Sequence, residues 1–168
     1  ILLFSNSFSS ADEFTFNASE IIVLNNENKI KAINGVEILT KDGVKITGDQ
    51  FEYYKNENKL IIFGNVNLFD ELNKVNVEGK EIIYFKKKEH LFIKGNSTAV
   101  IDDQYFVESK DLNLYRKEGL LSSENKTKIK DKLNNLLILD EFIYSNKKNT
   151  IRGKNINFLD KDSNKYFF

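Results

Sequence analysis

The 168-residue sequence contains no cysteine, proline, methionine or tryptophan. Lack of cysteine excludes a disulfide framework and any thiolate metal site. Histidine occurs once, as His90 in the run Lys86-Lys87-Lys88-Glu89-His90, and reads as a solvated turn residue. There is no Ser–His–Asp set, phosphate-binding loop or zinc-ligand spacing. Neither sign of charge prevails: 25 basic and 25 acidic residues cancel, which removes the electrostatic case for a nucleic-acid or anionic-membrane partner. No stretch approaches the roughly 20 apolar residues that span a bilayer. The neighbouring carboxylates Asp102 and Asp103 mark a turn. Glu20, Glu81, Asp111 and Glu141 each precede an apolar position, so strand alternation turns them away from the apolar side. The sequence predicts no enzyme, no cofactor and no bound metal.

What the sequence has instead is repetition. A unit of about 30 residues can be laid over the chain from Phe14, Val44, Val75, Tyr105 and Asn135, with steps of 30, 31, 30 and 30. Two positions after each start come Phe16, Ile46, Val77, Val107 and Leu137. Two further on stand Ala18, Gly48, Gly79, Ser109 and Leu139, small in all but the last. The apolar face then resumes after three residues rather than two, at Ile21, Phe51, Ile82, Leu112 and Phe142. Val23, Tyr53, Tyr84, Leu114 and Tyr144 follow at spacing two. A polar turn precedes the return strand, which opens with Ile30, Leu60, Leu91, Leu121 and Ile151. Only a spacing of two keeps strand side chains on one face, so the parity break predicts a bulge or bend in every unit. The small column is expected to sit at that bend.

An i, i+3, i+4, i+7 stripe never persists, and even Ser122 to Leu139, the best helical candidate, reads as strand. The pattern predicts ten to twelve antiparallel strands and almost no helix. A hairpin with one apolar face is not stable alone, and repeats of this period stack. Five such hairpins bury their faces if the sheet folds over on itself as a V-shaped or jelly-roll trough, leaving edges open to strand addition. Residues 1–11, ILLFSNSFSSA, read as the tail of a secretory signal, with Ser9 and Ala11 at the −3 and −1 positions of a cleavage site. Residues 12–168 then form a single domain of five units, whose terminal Lys165-Tyr166-Phe167-Phe168 reads as a strand beginning.

Gly64-Asn65-Val66, its echoes Asn34-Gly35-Val36 and Gly95-Asn96, and the preceding Gly48-Asp49-Gln50-Phe51-Glu52-Tyr53 resemble the OstA-like domain of bacterial lipopolysaccharide-transport proteins. That domain occurs in the periplasmic bridge protein LptA and in the N-terminal part of the outer-membrane assembly protein LptD. The resemblance covers about residues 14 to 160; Asn125-Lys126 and Asn155-Ile156 depart from the Gly-Asn pattern. It implies an all-β, V-shaped β-jellyroll whose apolar interior carries lipopolysaccharide acyl chains across the periplasm. It also implies other jellyroll proteins of the same transport system as partners through end-to-end strand addition. The later units resemble the assembly-protein branch more closely, which implies an outer-membrane partner and a barrel beyond this chain; the free bridge is the alternative. Phe16, Ile21, Ile30, Ile46, Phe51, Leu60, Ile62, Val77, Ile82, Leu91 and Ile93 are the candidate lining. The same residues would equally pack against one another as a closed core. A parallel β-helix, as a surface adhesin or a glycan-active enzyme, is the reading from another class.

Overall fold

The computed structural model describes residues 14–24 and 28–168; the signal-like stretch 1–11 lies outside them. Period-two patterning produces long strands here, as expected. The first seven are β1 (Phe14–Leu24), β2 (Lys29–Thr40), β3 (Val44–Tyr54), β4 (Lys59–Asp70), β5 (Val75–Phe85), β6 (His90–Ile101) and β7 (Tyr105–Tyr115). The later passes are each broken in two: β8 (Leu120–Ser123) with β9 (Thr127–Asp131), β10 (Leu136–Leu139) with β11 (Glu141–Ser145), and β12 (Thr150–Lys154) with β13 (Asn157–Leu159). A last strand, β14 (Lys165–Phe167), follows. Fourteen strands therefore make eleven passes, and the excess over ten to twelve comes from those interruptions. Among the described residues the only helical element is a single 3-10 turn at Lys86–Lys88. No helix among the described residues is long and apolar enough to cross a membrane.

Every strand pair is antiparallel, which rules out the parallel β-helix. The path runs from β1 through β7 in chain order and then divides. Near its start β7 pairs with β9, and near its end with β8. From there β9, β10, β13 and β14 continue one leaf, and β8, β11 and β12 the other. The division extends a line already present in the long strands. Between Ala18 and Glu20, Ile33 and Val36, Thr47 and Gln50, Phe63 and Val66, Glu78 and Glu81, and Ile93 and Asn96 the register shifts. At each shift the return strand holds one residue more than its neighbour, so it bulges and bends. The row of bulges is a crease, and the sheet folds along it into two leaves. Leaf one holds the N-terminal half of β1, β3, β5 and β7; leaf two holds their C-terminal half.

The crease explains the motif residues. On the return strands Asn34, Gly35, Gly64, Asn65, Gly95 and Asn155 all take positive φ, from 43° to 83°. Glycine and asparagine enter that region at least cost. The facing strand supplies a polar hook: Asn65 Nδ2 donates to Asp49 at 2.9 Å, the Gly95 N–H to Asp111 at 2.7 Å, and Asn155 Nδ2 to Asp140 at 2.6 Å. Asp111 is thus a corner residue held by the backbone, while Glu81 and Glu141 pair outside with Lys94 and Lys154. The small column has a different task from the one its glycines suggest. At Gly48 a Cβ would lie 2.6 Å from Ile62 Cγ2, so smallness there permits close approach, and the left-handed bend itself is made one strand over.

Replacing Gly64 by alanine puts a side chain at φ +72° with Asp49 Oδ2 2.2 Å from its Cβ. The expected loss is about 1–3 kcal/mol, read as a lower urea midpoint, against less than about 0.5 kcal/mol for Lys148→Ala in an exposed turn. Equal midpoints for the two variants would show that the bulge row does not set the fold.

Candidate functional site

The inner faces of the leaves are built from cross-strand ladders that follow the repeat columns. Leaf one carries Phe16, Ile38, Ile46, Leu68, Val77, Ala99, Val107, Ile129, Leu137 and Phe158, each directly opposite the next. Next to the crease in leaf two run Ile21, Ala32, Phe51, Ile62, Ile82, Ile93 and Leu112. Nearer the rim of that leaf come Val23, Ile30, Tyr53, Leu60, Tyr84, Leu91, Leu114, Leu121, Tyr144 and Ile151. All eleven candidate lining residues fall on these three ladders. Nine are buried, while Ile21 and Ile30 are half-buried at one end. Ile38, Leu68 and Ala99 belong to the same surface and complete it in leaf one.

The leaves face each other with a stagger. Phe16 of β1 stacks on Phe51 of β3 with ring centroids 4.8 Å apart, and Phe14 packs edge-on against Tyr53 and Tyr84 at 5.9 and 6.0 Å. At the other end Tyr105 of β7 meets Tyr144 of β11 at 6.3 Å. Leaf one is therefore displaced by two to four strands relative to leaf two, in keeping with the twist of long sheets. Apolar surface emerges at both ends as a result. At one end Val23 of leaf two is 48% exposed, and at the other Tyr166, directly opposite Phe158, is 45% exposed. The interior is an apolar file running the length of the molecule, filled by its own side chains between two apolar mouths.

Along the long open side of the V the rims are joined by charge. Arg116, in the turn after β7, reaches across from leaf two; its Nε donates to Asp70 Oδ2 at 2.8 Å and its Nη1 to the Asp42 carboxylate. Its Nη2 donates to the Asp42 carbonyl at 3.3 Å. Asn73 completes the cluster, donating from Nδ2 to Asp70 at 2.8 Å and to the Arg116 carbonyl at 3.4 Å. The Arg116 and Asp70 side chains are fully buried, and the Asp42 side chain is half-exposed. Burial works against the Arg116 charge, but Asp70 and Asp42 outweigh it and hold its pKa above the ordinary value. Burial also pushes the Tyr84 hydroxyl up. For Asp42, burial would raise the carboxyl, yet bonds from Thr40 and Arg116 more than offset this and keep it below the usual range. Removing one partner of a buried pair of this kind costs about 3–5 kcal/mol.

The outer surface holds less chemistry. His90 is not a solvated turn residue. It opens β6 and stacks between Phe85 and Tyr115, at 5.7 and 4.4 Å, with its Nε2 2.9 Å from Asn113 Oδ1. The cross-strand register that aligns Phe85, His90 and Tyr115 explains why it is half-buried between rings. Among the described residues no group of three or more histidine, aspartate or glutamate side chains is placed to hold a metal ion.

No family model matches the sequence, and no curated protein matches it. The solved structures give a match in fold. LptH of Pseudomonas aeruginosa, described as the LptA-homologous periplasmic component of the lipopolysaccharide transport device, aligns with a TM-score of 0.52 and 9% identity. The alignment covers 85% of this chain and 82% of LptH. The TCP10 domain of Danio rerio CPAP, solved with a STIL peptide, aligns over 87% of this chain and 91% of its own at a TM-score of 0.18 and 11% identity. The chain has the LptA-like β-jellyroll fold.

Because Asp42 titrates below its ordinary value of 3.8, its contribution to stability is present above that value and is lost as pH falls through the lower folded value. Glu52, held down first by the Tyr54 hydroxyl and then by Lys29, behaves in the same direction. Urea midpoints followed from neutral pH into the acid range should fall for the native chain, and fall less for Asp42→Asn. Superimposable acid limbs would show that the Arg116 link carries no pH dependence.

Proposed function

We propose that the chain carries the acyl chains of lipopolysaccharide through the periplasm, along the file between its two leaves. The observation that supports this most is the continuity of two apolar ladders, one in each leaf, from β1 into the last passes, with a third between them as far as β7, in a fold shared with a lipopolysaccharide-transport component. Each buried methylene of an acyl chain gains about 0.8 kcal/mol, without any dedicated polar contact. Loading requires the leaves to part. Leaf–leaf contacts are then exchanged for leaf–acyl contacts of the same apolar character, so the net cost of opening is small once lipid enters. In this reading Phe16, Ile46 and Val77 line one wall. Ile21, Ile30, Phe51, Leu60, Ile62, Ile82, Leu91 and Ile93 line the other. The chain acts as a carrier and not as a catalyst.

β1 at one end, and β14 of leaf one with β12 of leaf two at the other, are the sheet edges at which other jellyroll proteins of the transport system would add. The narrower assignment, to the assembly-protein branch with an outer-membrane partner, rests on the sequence of the later units. Fractionation separates the two branches: the assembly-protein reading expects the native gene product with outer-membrane vesicles, and the bridge reading expects it in the periplasmic extract.

A photo-crosslinking residue placed at Phe51 or Ile82 in living cells is expected to trap lipopolysaccharide, and one at Glu57, in the turn after β3, is not. Absence of a lipid adduct at both inward positions, with the protein folded, would make the interior a closed core and remove the carrier reading.

A further inference from the structure

The cluster at the mouth uses buried charge where apolar packing would have been at least as stable. A buried ion pair costs several kcal/mol of desolvation per ion, and replacing one with apolar side chains is often neutral or stabilising. The leaves also meet through apolar ring pairs, Phe16–Phe51 and Tyr105–Tyr144, and through the Lys86 ammonium over the Phe14 ring. Here Arg116 bridges to Asp42, 74 residues away, and to Asp70, 46 residues away. Arg116 and Asp42 lie in two different turns and Asp70 ends β4, so the contact forms only when the rims of the two leaves come together. The sequence has only two arginines, Arg116 and Arg152, against many lysines. The bridging position takes the side chain whose planar fork can serve two carboxylates at once.

The two kinds of seam respond differently to opening. Parting an apolar seam exposes hydrocarbon to water and is opposed until lipid takes the place of the lost contacts. Parting the Arg116 seam returns three charges and Asn73 to water, so hydration offsets much of the lost attraction. Such a contact is closed in a defined register and is released at low net cost. It also lies beside a cleft of about 260 Å³ between the rims, lined by Phe14, Thr40, Lys41, Asp42, Tyr84 and Lys86 among others. Asp42, the partner that remains half-exposed, faces that cleft and is the natural point of release.

We propose that Arg116, Asp42, Asp70 and Asn73 form a clasp that holds the long side of the trough shut, and that its release is what opens the interior to lipid from the side. The second half of this statement rests on the carrier reading; the first half does not.

The chain lacks cysteine, so two introduced cysteines carry spin labels uniquely. Glu71→Cys and Glu118→Cys, both in exposed turns, place them on opposite rims. Without lipid, the distance distribution between the labels is expected to be single and narrow in the native background. It is expected to move to longer, broader values with Arg116→Gln, and to stay narrow with the apolar pair Arg116→Leu/Asp70→Leu. A narrow native-like distance with Arg116→Gln, in protein whose circular dichroism is unchanged, overturns the clasp. Should Arg116→Gln fail to fold, Asp42→Asn is the second variant, and an unchanged distance there overturns it equally. Purified lipopolysaccharide is then added. The distance is expected to lengthen in the native background and to resist lengthening in the apolar pair, with at least a tenfold loss of lipid bound. If lipopolysaccharide binds and the native distance does not change, the clasp is not the gate. If the clasp opens with Arg116→Gln and no variant binds lipopolysaccharide, the clasp stands and the carrier reading fails.

Discussion

The structure depends on one repeated distortion: an extra residue on each of the long return strands β2, β4 and β6, with residues in the left-handed region at the middle of the sheet. A sheet of eleven passes with one apolar face has no stable flat form in water. The row of bulges lets it bend along a single line, so that the apolar face closes on itself and the polar face remains outside. Asp49, Asp111 and Asp140 fasten that line by binding the residues that turn. In the last passes the distortion has grown into full breaks between β8 and β9, β10 and β11, and β12 and β13. The leaves are one sheet at the start of the chain and two at its end.

From the crease follow both the interior and its ends. Folding brings Phe16 onto Phe51, and sheet twist displaces one leaf along the other. The displacement leaves an uncovered apolar margin at each end, on opposite leaves. In the proposed carrier reading, these margins are where an apolar cargo passes to a neighbour.

Much of this was legible in the sequence because the signals were local and repeated. Period-two columns named the ladders, including all eleven candidate lining residues, and the three-residue gap after Gly48 and Gly79 located the bend. The columns headed by Val23 and Ile30 proved to be one ladder, since each hairpin brings them opposite. The sequence did not show which strand of each hairpin turns. Gly48 and Gly64 look alike as letters, and only one has positive φ. The setting of His90 is not legible from its sequence neighbours, which are lysines and a glutamate, because its neighbours across the sheet are Phe85 and Tyr115. The Arg116 cluster was invisible for a stronger reason. Its members lie 46 and 74 residues apart, and they meet only through the stagger of the leaves. The one available signal was an arginine in a turn where units two and three place Lys55 and Lys86 and units one and five place Asn25 and Asn146.

The account stands on cargo being held by its hydrocarbon. The most direct test is binding of the purified chain to lipopolysaccharide in competition with the same molecule stripped of its acyl chains. The account predicts that the fully acylated form binds, that affinity falls stepwise as acyl chains are removed, and that the deacylated glycan does not compete. Equal competition by the deacylated glycan would contradict it and move recognition from the apolar file to the polar surface.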